Sequence, residues 1–384
     1  MAECKAYADD FSCSFGDPAR FLDFLGERKE NSQWLTAPSR ALQFQSVAKG
    51  SPMSDLYLKY YDANGQGAIL ADTIENTGIM LNVNGKDYPV RSCAIKTILE
   101  RARISGHALN KVSKDVFSQI LNYCMGVAAG NSLIKVADEK ISAVHGGDPK
   151  DYAILEMLPL FERVKDFLDE EFPGNRFLAA SYDHVLTSAI WTLDGQANDL
   201  LATYRSEIAA KHLPITASVR PGLRFATSDV GMSGANLYPI LLYGSANRII
   251  PLGYAIKTEH KCGANLEYFD EQLKLLYAKF REAVEKQTQL VGIELSYPYN
   301  AMLGVLRRIG APKKASFEAA DMLEAQCGGT GCTAYEVYLA MSEVIYSLQC
   351  EGASGNRISQ LEEVIARALH VNWHEYDRPG AVKW

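Results

Sequence analysis

Apolar residues recur at different periods along this chain, and the changes of period divide it into elements. Near the start, Phe21, Leu22, Phe24 and Leu25 predict one short helix, and the mixed stretch through Pro38 and Pro52 predicts a loop. Next, Met80, Leu81 and Val83 precede Asn84-Gly85, and Tyr88 and Val90 follow it. That pattern predicts a hairpin, because Asn-Gly accepts the two positive φ angles of a type I′ turn. Ile95, Ile98 and Leu99 share one face of a helix over about Cys93 to Ile104, and Val116, Ile120, Leu121 and Cys124 share another over about Ser113 to Val127.

Patterning is strongest over residues 131–295. The run SLIKVADEKISAVHGG predicts a short strand pair about Asp138-Glu139. AILEMLPLFERVKDFLDEEF predicts an amphipathic helix that Pro173-Gly174 stops, RFLAASYDHVLTSAIWTL a segment that is part strand, and NDLLATYRSEIAAKH a helix capped by Asn198. ITASVRPGLRFATSDVG alternates about Pro221-Gly222, which predicts a turn there, and NLYPILLYGSANRIIPLGYAIKTEH reads as two β-rich runs about Gly244 to Asn247. Leu266, Phe269, Leu273, Leu276, Phe280 and Val284 then form one stripe, predicting a long helix from Leu266 to Leu290 with Asp270–Lys274 and Glu282–Lys286 as supporting charge pairs.

Residues 296–384 read as mostly helical. SFEAADMLEAQ runs into CGGTGC, where Gly328 is expected to end one helix in a left-handed cap. Thr333-x-x-Glu336 is a capping box opening the next, which carries Tyr338, Met341, Ile345 and Leu348, and a last helix spans about Ile358 to Leu369. The expected fold class is α+β: an antiparallel β-meander packed against a long helix, with a mostly helical C-terminal end. The expected divisions are an N-terminal α+β extension over 1–130, a meander and helix core over 131–295, and a helical region over 296–384.

Five stretches together resemble one family: KISAVHGGDPKDYAILEMLPLFE, RFLAASYDHVLTSAIW, GLRFATSDVGMSGANLYPILL, IPLGYAIKTEHKCGANLEYFDEQLKLL and TAYEVYLAMSEVI. In their order they are similar to the phage- and plasmid-encoded family called domain of unknown function 932, over roughly Ser132 to Trp373. The resemblance implies a mobile-element protein encoded among replication, recombination or counter-defence genes. It implies no catalytic residue.

Composition narrows the class without naming a function. Of the 384 residues, 47% are hydrophobic and 22% charged, which argues against a disordered, collagen-like or disulfide-stapled chain. No run approaches about 18 consecutive apolar residues, so no membrane-spanning helix is expected. The first residues, with Asp9-Asp10 and no apolar core, do not read as a secretory signal, and the eight scattered cysteines read as reduced thiols, so a cytoplasmic location is expected.

Charge changes the picture more. The net charge is −7, yet between Pro214 and Cys262 five basic residues face two acidic ones, and from Leu295 to Phe317 there are four basic residues and no acid. Such segregation marks either ordinary solvated surface or a face for an anionic partner. In the first segment tyrosine and arginine interleave: Arg220, Arg224, Tyr238, Tyr243, Arg248 and Tyr254, with Lys257 and Lys261 beyond. Flat rings for stacking and cations for phosphate are what single-stranded nucleic acid requires, although a core or subunit interface also favours tyrosine and arginine. In the second segment Arg307, Arg308, Lys313 and Lys314 are candidate phosphate contacts. The leading expectation is a single-strand-binding homo-oligomer, an annealing or recombination accessory factor. The alternative is a protein-interaction or assembly factor.

Catalytic signatures are sparse. Gly85-Lys86-Asp87 lacks the earlier glycine and the Ser/Thr of a nucleotide-binding loop, and Gly328-Gly329-Thr330-Gly331 precedes a helix without a lysine to follow it. His260-x-Cys262 with Cys327 and Cys332, or His370 with His374, lack the two-residue spacing of a zinc knuckle, so reduced, unmetallated thiols are expected. Ser181, Asp183 and His184 are sequence neighbours, which seldom form a triad. No cofactor is expected, and an enzyme is the less favoured class.

Overall fold

The computed structural model describes residues 5–193, 199, 201–211, 219–244, 247–261, 263–327 and 330–384. Asn198 and Gly328, the two expected caps, lie outside them. The architecture is α+β, with antiparallel sheets and a mostly helical C-terminal region.

Strand β1 (Ser12–Phe15) and helix α1 (Pro18–Glu30) open the chain. The expected loop through Pro38 is instead strand β2 (Ser32–Pro38), a 3-10 turn and strand β3 (Gln43–Ser46). Their residues carry little hydrophobic signal because each strand is paired on one side only: β2 with β6 (Asn131–Ala137), and β3 with β4 (Ile79–Val83). Helices α2 (Pro52–Ala63) and α3 (Gly67–Glu75) follow β3, and Asn84 (φ 53°) and Gly85 (φ 86°) form the expected turn between β4 and β5 (Lys86–Pro89). Helices α4 (Ala94–Arg101) and α5 (Lys114–Gly126), the latter capped by Ser113, lead into the hairpin of β6 and β7 (Lys140–Gly146).

Packing divides the chain differently from the expected boundary at 130/131. Ile134, Val136, Ile141 and Val144 from β6 and β7 share one core with Phe44, Leu81, Ile98 and Leu121, so this hairpin belongs with the N-terminal unit. Phe21 and Leu25 of α1, conversely, lie in the large core that runs from Leu155 to Trp373. No break in that core falls at 295/296.

The large core is organised by a seven-stranded antiparallel sheet. Its order is β1, β8 (Arg176–Asp183), β9 (Thr187–Thr192), β10 (Val219–Thr227), β11 (Ala235–Tyr243) and β12 (Arg248–Pro251), with β13 (Ile256–Thr258) also on β11. Pro221-Gly222 is not a turn; it lies inside β10. The Pro221 carbonyl accepts Leu193 N–H (2.9 Å) just past the end of β9, so the missing proline donor falls where no strand needs it. At Gly222 a Cβ would lie 3.0 Å from the Trp191 carbonyl and from the Leu242 side chain, so any side chain there would push its neighbours back by a few tenths of an ångström.

Side chains alternate across β10 and β11. Leu223, Phe225, Leu237 and Leu241 face the large core; Arg224, Ala226, Tyr238 and Ile240 face the other way. Helices α6 (Met157–Glu171), α7 (Ala202–Ala210), α8 (Leu266–Leu273) and α9 (Leu276–Gln289) serve the first face, with the Phe225 and Phe269 rings 5.4 Å apart. The expected single helix from Leu266 to Leu290 is thus two. Leu275 N–H bonds the carbonyl of Gln272, three residues back (3.1 Å), and this tighter turn interrupts the helix while keeping the stripe in line. Of the two expected pairs, Glu282–Lys286 forms (3.1 Å), but Lys274 pairs with Glu271 and Asp270 with Arg163 of α6.

A short ladder of β14 (Glu294–Leu295) with β15 (Cys332–Thr333) brackets α10 (Pro298–Ile309) and α11 (Lys313–Cys327). The capping box at Thr333 and Glu336 opens α12 (Ala334–Ala340), which gives way at Met341 to α13 (Ser342–Cys350). Helix α14 (Gly355–Ala366) then lies against the second sheet face.

Candidate nucleic-acid interface

The sequence interleaves its candidate rings and cations within one β-rich segment; the structure buries part of the sheet face they share. Arg224 and Tyr238 are directly paired across β10 and β11, with the guanidinium 4.5 Å from the ring centre. Both are buried, because α14 brings Glu362 onto Arg224 and Glu363 onto the Tyr238 hydroxyl (2.7 Å). These two residues therefore offer nothing to a strand in solvent, and as contact residues they are corrected. Tyr243 is half-buried against the large core, and Arg220 donates to Asn247 Oδ1.

The remaining cations are largely matched by acids, most of them distant in sequence, although Glu259 lies two residues from Lys261. Arg248 pairs with Glu343 and stacks over Tyr346 (4.8 Å), Lys257 pairs with Glu363 (2.7 Å), and Lys261 with Glu259 (3.0 Å). Lys314 reaches Glu351 (2.8 Å) and Lys313 lies over the Phe317 ring (6.0 Å). A window count of charge registers sequence neighbours only, and Glu343, Glu351, Glu362 and Glu363 all arrive from the C-terminal helices.

Two grooves keep a positive balance. The first, about 260 Å³, lies between the β12–β13 connection and α9. Tyr254, 55% exposed, stacks on His370 with ring centres 4.8 Å apart and planes 17° apart. Around this pair stand Lys257, Lys279 and Lys286. Glu282 serves both Lys279 (3.0 Å) and Lys286 (3.1 Å), so the two ammonium groups share one carboxylate. Partial burial and then the Lys286 charge lower the affinity of His370 for a proton, which leaves a neutral flat ring. Sequence reading had singled out Tyr254 and Lys257 but not Lys279, Lys286 or the stacking of His370. Lys279 and Lys286 are seven residues apart on one helix face, and that signal was readable.

The second groove, about 620 Å³, is made by the C-terminal tail crossing α10. Asp377 accepts the backbone N–H groups of Ser296 (3.0 Å) and Tyr297 (2.6 Å), and Asn300 Nδ2 donates to the carbonyls of Arg378 and Gly380 (both 2.7 Å). Tyr376 lies on Gly304, where a Cβ would come within 2.7 Å of its ring. Arg307, whose guanidinium donates to the Lys383 carbonyl, and Arg308 thereby meet Arg378, with Glu375 the acid in the lining. Lys313 and Lys314 do not join them.

The other candidate chemistries disperse. Ser181 bonds Ser188 (3.1 Å), Asp183 accepts the N–H groups of Val185 and Leu186, and His184 lies against Arg91. His260 bonds the Ala153 carbonyl (3.1 Å), and Cys262 lies outside the described residues. Burial and then Cys327 push the Cys332 thiol upward, away from thiolate. Among the described residues no group of three or more His, Cys, Asp or Glu side chains is placed to hold a metal ion, and no helix is long and apolar enough to cross a membrane. No protein-family model matches the chain, and neither a curated protein nor a solved structure matches it.

Proposed function

We propose that the protein binds single-stranded nucleic acid, and that contact is made in the groove beside the sheet rather than on its face. The observation that carries this reading is the exposed Tyr254–His370 ring pair with Lys279 and Lys286, which share one carboxylate, beside it. An exposed ring pair accepts a base by stacking, and ammonium groups nearby hold the flanking phosphates whatever the sequence. The arginines of the tail groove extend the same chemistry. A mobile-element role, as an annealing or recombination accessory factor acting as a homo-oligomer, belongs to this proposal and rests on the resemblance of five sequence stretches alone, since no family model matches the chain.

Fluorescence anisotropy of a labelled single strand across a salt series tests it. Tyr254→Ala is expected to weaken binding by about 5- to 150-fold, the range for loss of one stacked base. Lys279→Ala with Lys286→Ala should flatten the slope of log affinity against log salt by about 1.4. A parent protein with no affinity for single strands at low salt overturns the proposal.

The assembly reading also has an observation in its favour. Helix α5 and the residue that ends it leave Val116 (42%), Tyr123 (80%) and Val127 (86%) exposed. If these residues form a self-association surface, Tyr123→Arg lowers the solution mass measured by light scattering; a monomeric parent protein removes this reading.

A further inference from the structure

A second kind of site lies in the N-terminal unit. Helix α2 carries Met53, Leu56, Tyr57, Tyr60 and Tyr61 at three- and four-residue steps, hence on one face. That face looks toward the tip of the β4–β5 hairpin and the β6–β7 turn, and a cavity of about 550 Å³ lies between them, a size that suits a small molecule.

The two walls differ in chemistry. On the helix side, the Tyr60 and Tyr61 rings stand 5.8 Å apart and 72° to each other, giving two aromatic planes that meet at a steep angle. Tyr61 is buried, whereas Tyr60 is 66% and Leu56 62% exposed, so the inner plane is fixed and the outer one is open to a ligand. Burial and then the Asp87 carboxylate raise the proton affinity of the Tyr57 hydroxyl, and the same two influences act on Tyr61, so these rings stay neutral. On the hairpin side stand Lys86, Asp87 and Glu139. The Lys86 ammonium is committed to Glu139 (3.2 Å) and to the Tyr88 ring (4.6 Å).

Asp87 is different. Its carboxylate lies within hydrogen-bond reach of the Tyr57 hydroxyl (2.9 Å) and accepts from Asn82 Nδ2 (2.7 Å), both neutral groups. Among the described residues no cationic side chain pairs with it. An anion entering the cavity meets two carboxylates, and a purely apolar guest strips water from Asp87 without replacing it. An organic cation with an alkyl body satisfies both walls: its charge faces Asp87 and the ring faces, and its methyl groups cover the tyrosine and leucine surface.

We infer that this cavity between α2 and the β4–β5 hairpin binds an organic cation of the alkylated ammonium class. Isothermal titration of the full chain with choline, beside its neutral isostere 3,3-dimethylbutan-1-ol, tests this. Choline is expected to bind saturably in the millimolar range or tighter. The neutral isostere should bind at least about twofold more weakly, since a cation–π contact at an exposed ring is worth about two- to fivefold. Tyr60→Ala and Asp87→Asn should each weaken choline about three- to tenfold, and Tyr60, being exposed, leaves the fold intact when truncated. Equal binding of the two probes, or no saturable choline binding, overturns the inference. If Asp87→Asn lowers the melting temperature, the Tyr60→Ala result decides alone: unchanged choline affinity in that variant also overturns it.

Discussion

Arg224 and Tyr254 come from the same β-rich region, and burial gives them opposite parts. The Arg224 guanidinium is enclosed with the Glu362 carboxylate, whose proton affinity burial raises and Arg224 opposes. Removing one partner of such a pair leaves an uncompensated buried charge. Arg224→Ala is therefore expected to lose about 3–5 kcal/mol in urea unfolding, and replacing both residues by apolar side chains of similar volume should recover most of that loss. Tyr254 has more than half of its surface in water. Tyr254→Ala should stay within about 0.5 kcal/mol of the parent in the same assay, so any loss of strand binding in that variant is a loss of contact.

At the scale of elements, the α8–α9 pair is the main support of the sheet. Phe269, Leu273, Leu276, Phe280 and Val284 are all buried although the helix is interrupted at Lys274 and Leu275. Such an interruption costs little when the stripe stays in line, because burial of the apolar face supplies most of the stability of a helix in a protein. Phe269→Ala or Leu276→Ala is expected to cost about 2–5 kcal/mol, seen as a lower melting temperature or an insoluble product. Glu271 holds an exposed pair with Lys274 (2.6 Å), and Glu271→Ala should move stability by no more than about 0.5 kcal/mol. A stable, soluble Phe269→Ala protein of reduced solution mass would instead make the stripe a docking surface.

For the molecule as a whole, the seam between the N-terminal unit and the large sheet is unusually polar. Lys140, wholly buried, holds Asp9 (3.0 Å) and Asp72, Lys135 holds Asp229, and Arg28 holds Asp138 at the β6–β7 turn. Two buried histidines, His184 and His260, and the half-buried His145 lie along it. His145 and His260 stack on either ring contact of Tyr152 (3.8 and 5.2 Å), near Lys135 and Asp229, and His184 lies beside Arg91, Arg28 and Asp9. Burial is the largest influence on all three; it brings His145 down to about 4 and His184 to about 3, with His260 lowered as well. Their folded-state values lie below the unfolded one, so the unfolded chain takes up protons first. The stability is complete above about pH 6.5 and falls as pH drops toward 4, by up to about 1.4 kcal/mol per pH unit for each histidine still neutral in the fold. Urea unfolding at pH 7, 6, 5 and 4 measures this, and His145→Gln should flatten the profile. A pH-independent midpoint across that range would show that these rings are solvated.

Local periodicity sufficed for the hairpin at Asn84-Gly85, the strand pair about Asp138-Glu139, the capping box at Thr333 and the buried stripe from Phe269 to Val284, because each depends on residues a few positions apart. Pro221-Gly222 misled for the opposite reason: whether a proline tolerates a strand depends on where the neighbouring strand ends, and whether a glycine is needed depends on how near it comes. The weak signal of β2 and β3 has the same origin, since single-sided pairing asks little of side chains. The candidate site divided along this line. Tyr254 and Lys257 were legible as a ring and a charge in a β-rich run, whereas the exposure of Tyr254 and the burial of Arg224 and Tyr238 were set by the packing, with Glu362 and Glu363 arriving from α14. The chain by itself determined its strongly patterned elements and the capping box at Thr333. Only the tertiary structure decided which charges remain free, because a charge is neutralised by what lies within a few ångströms of it in space, and those partners come from the far end of the sequence.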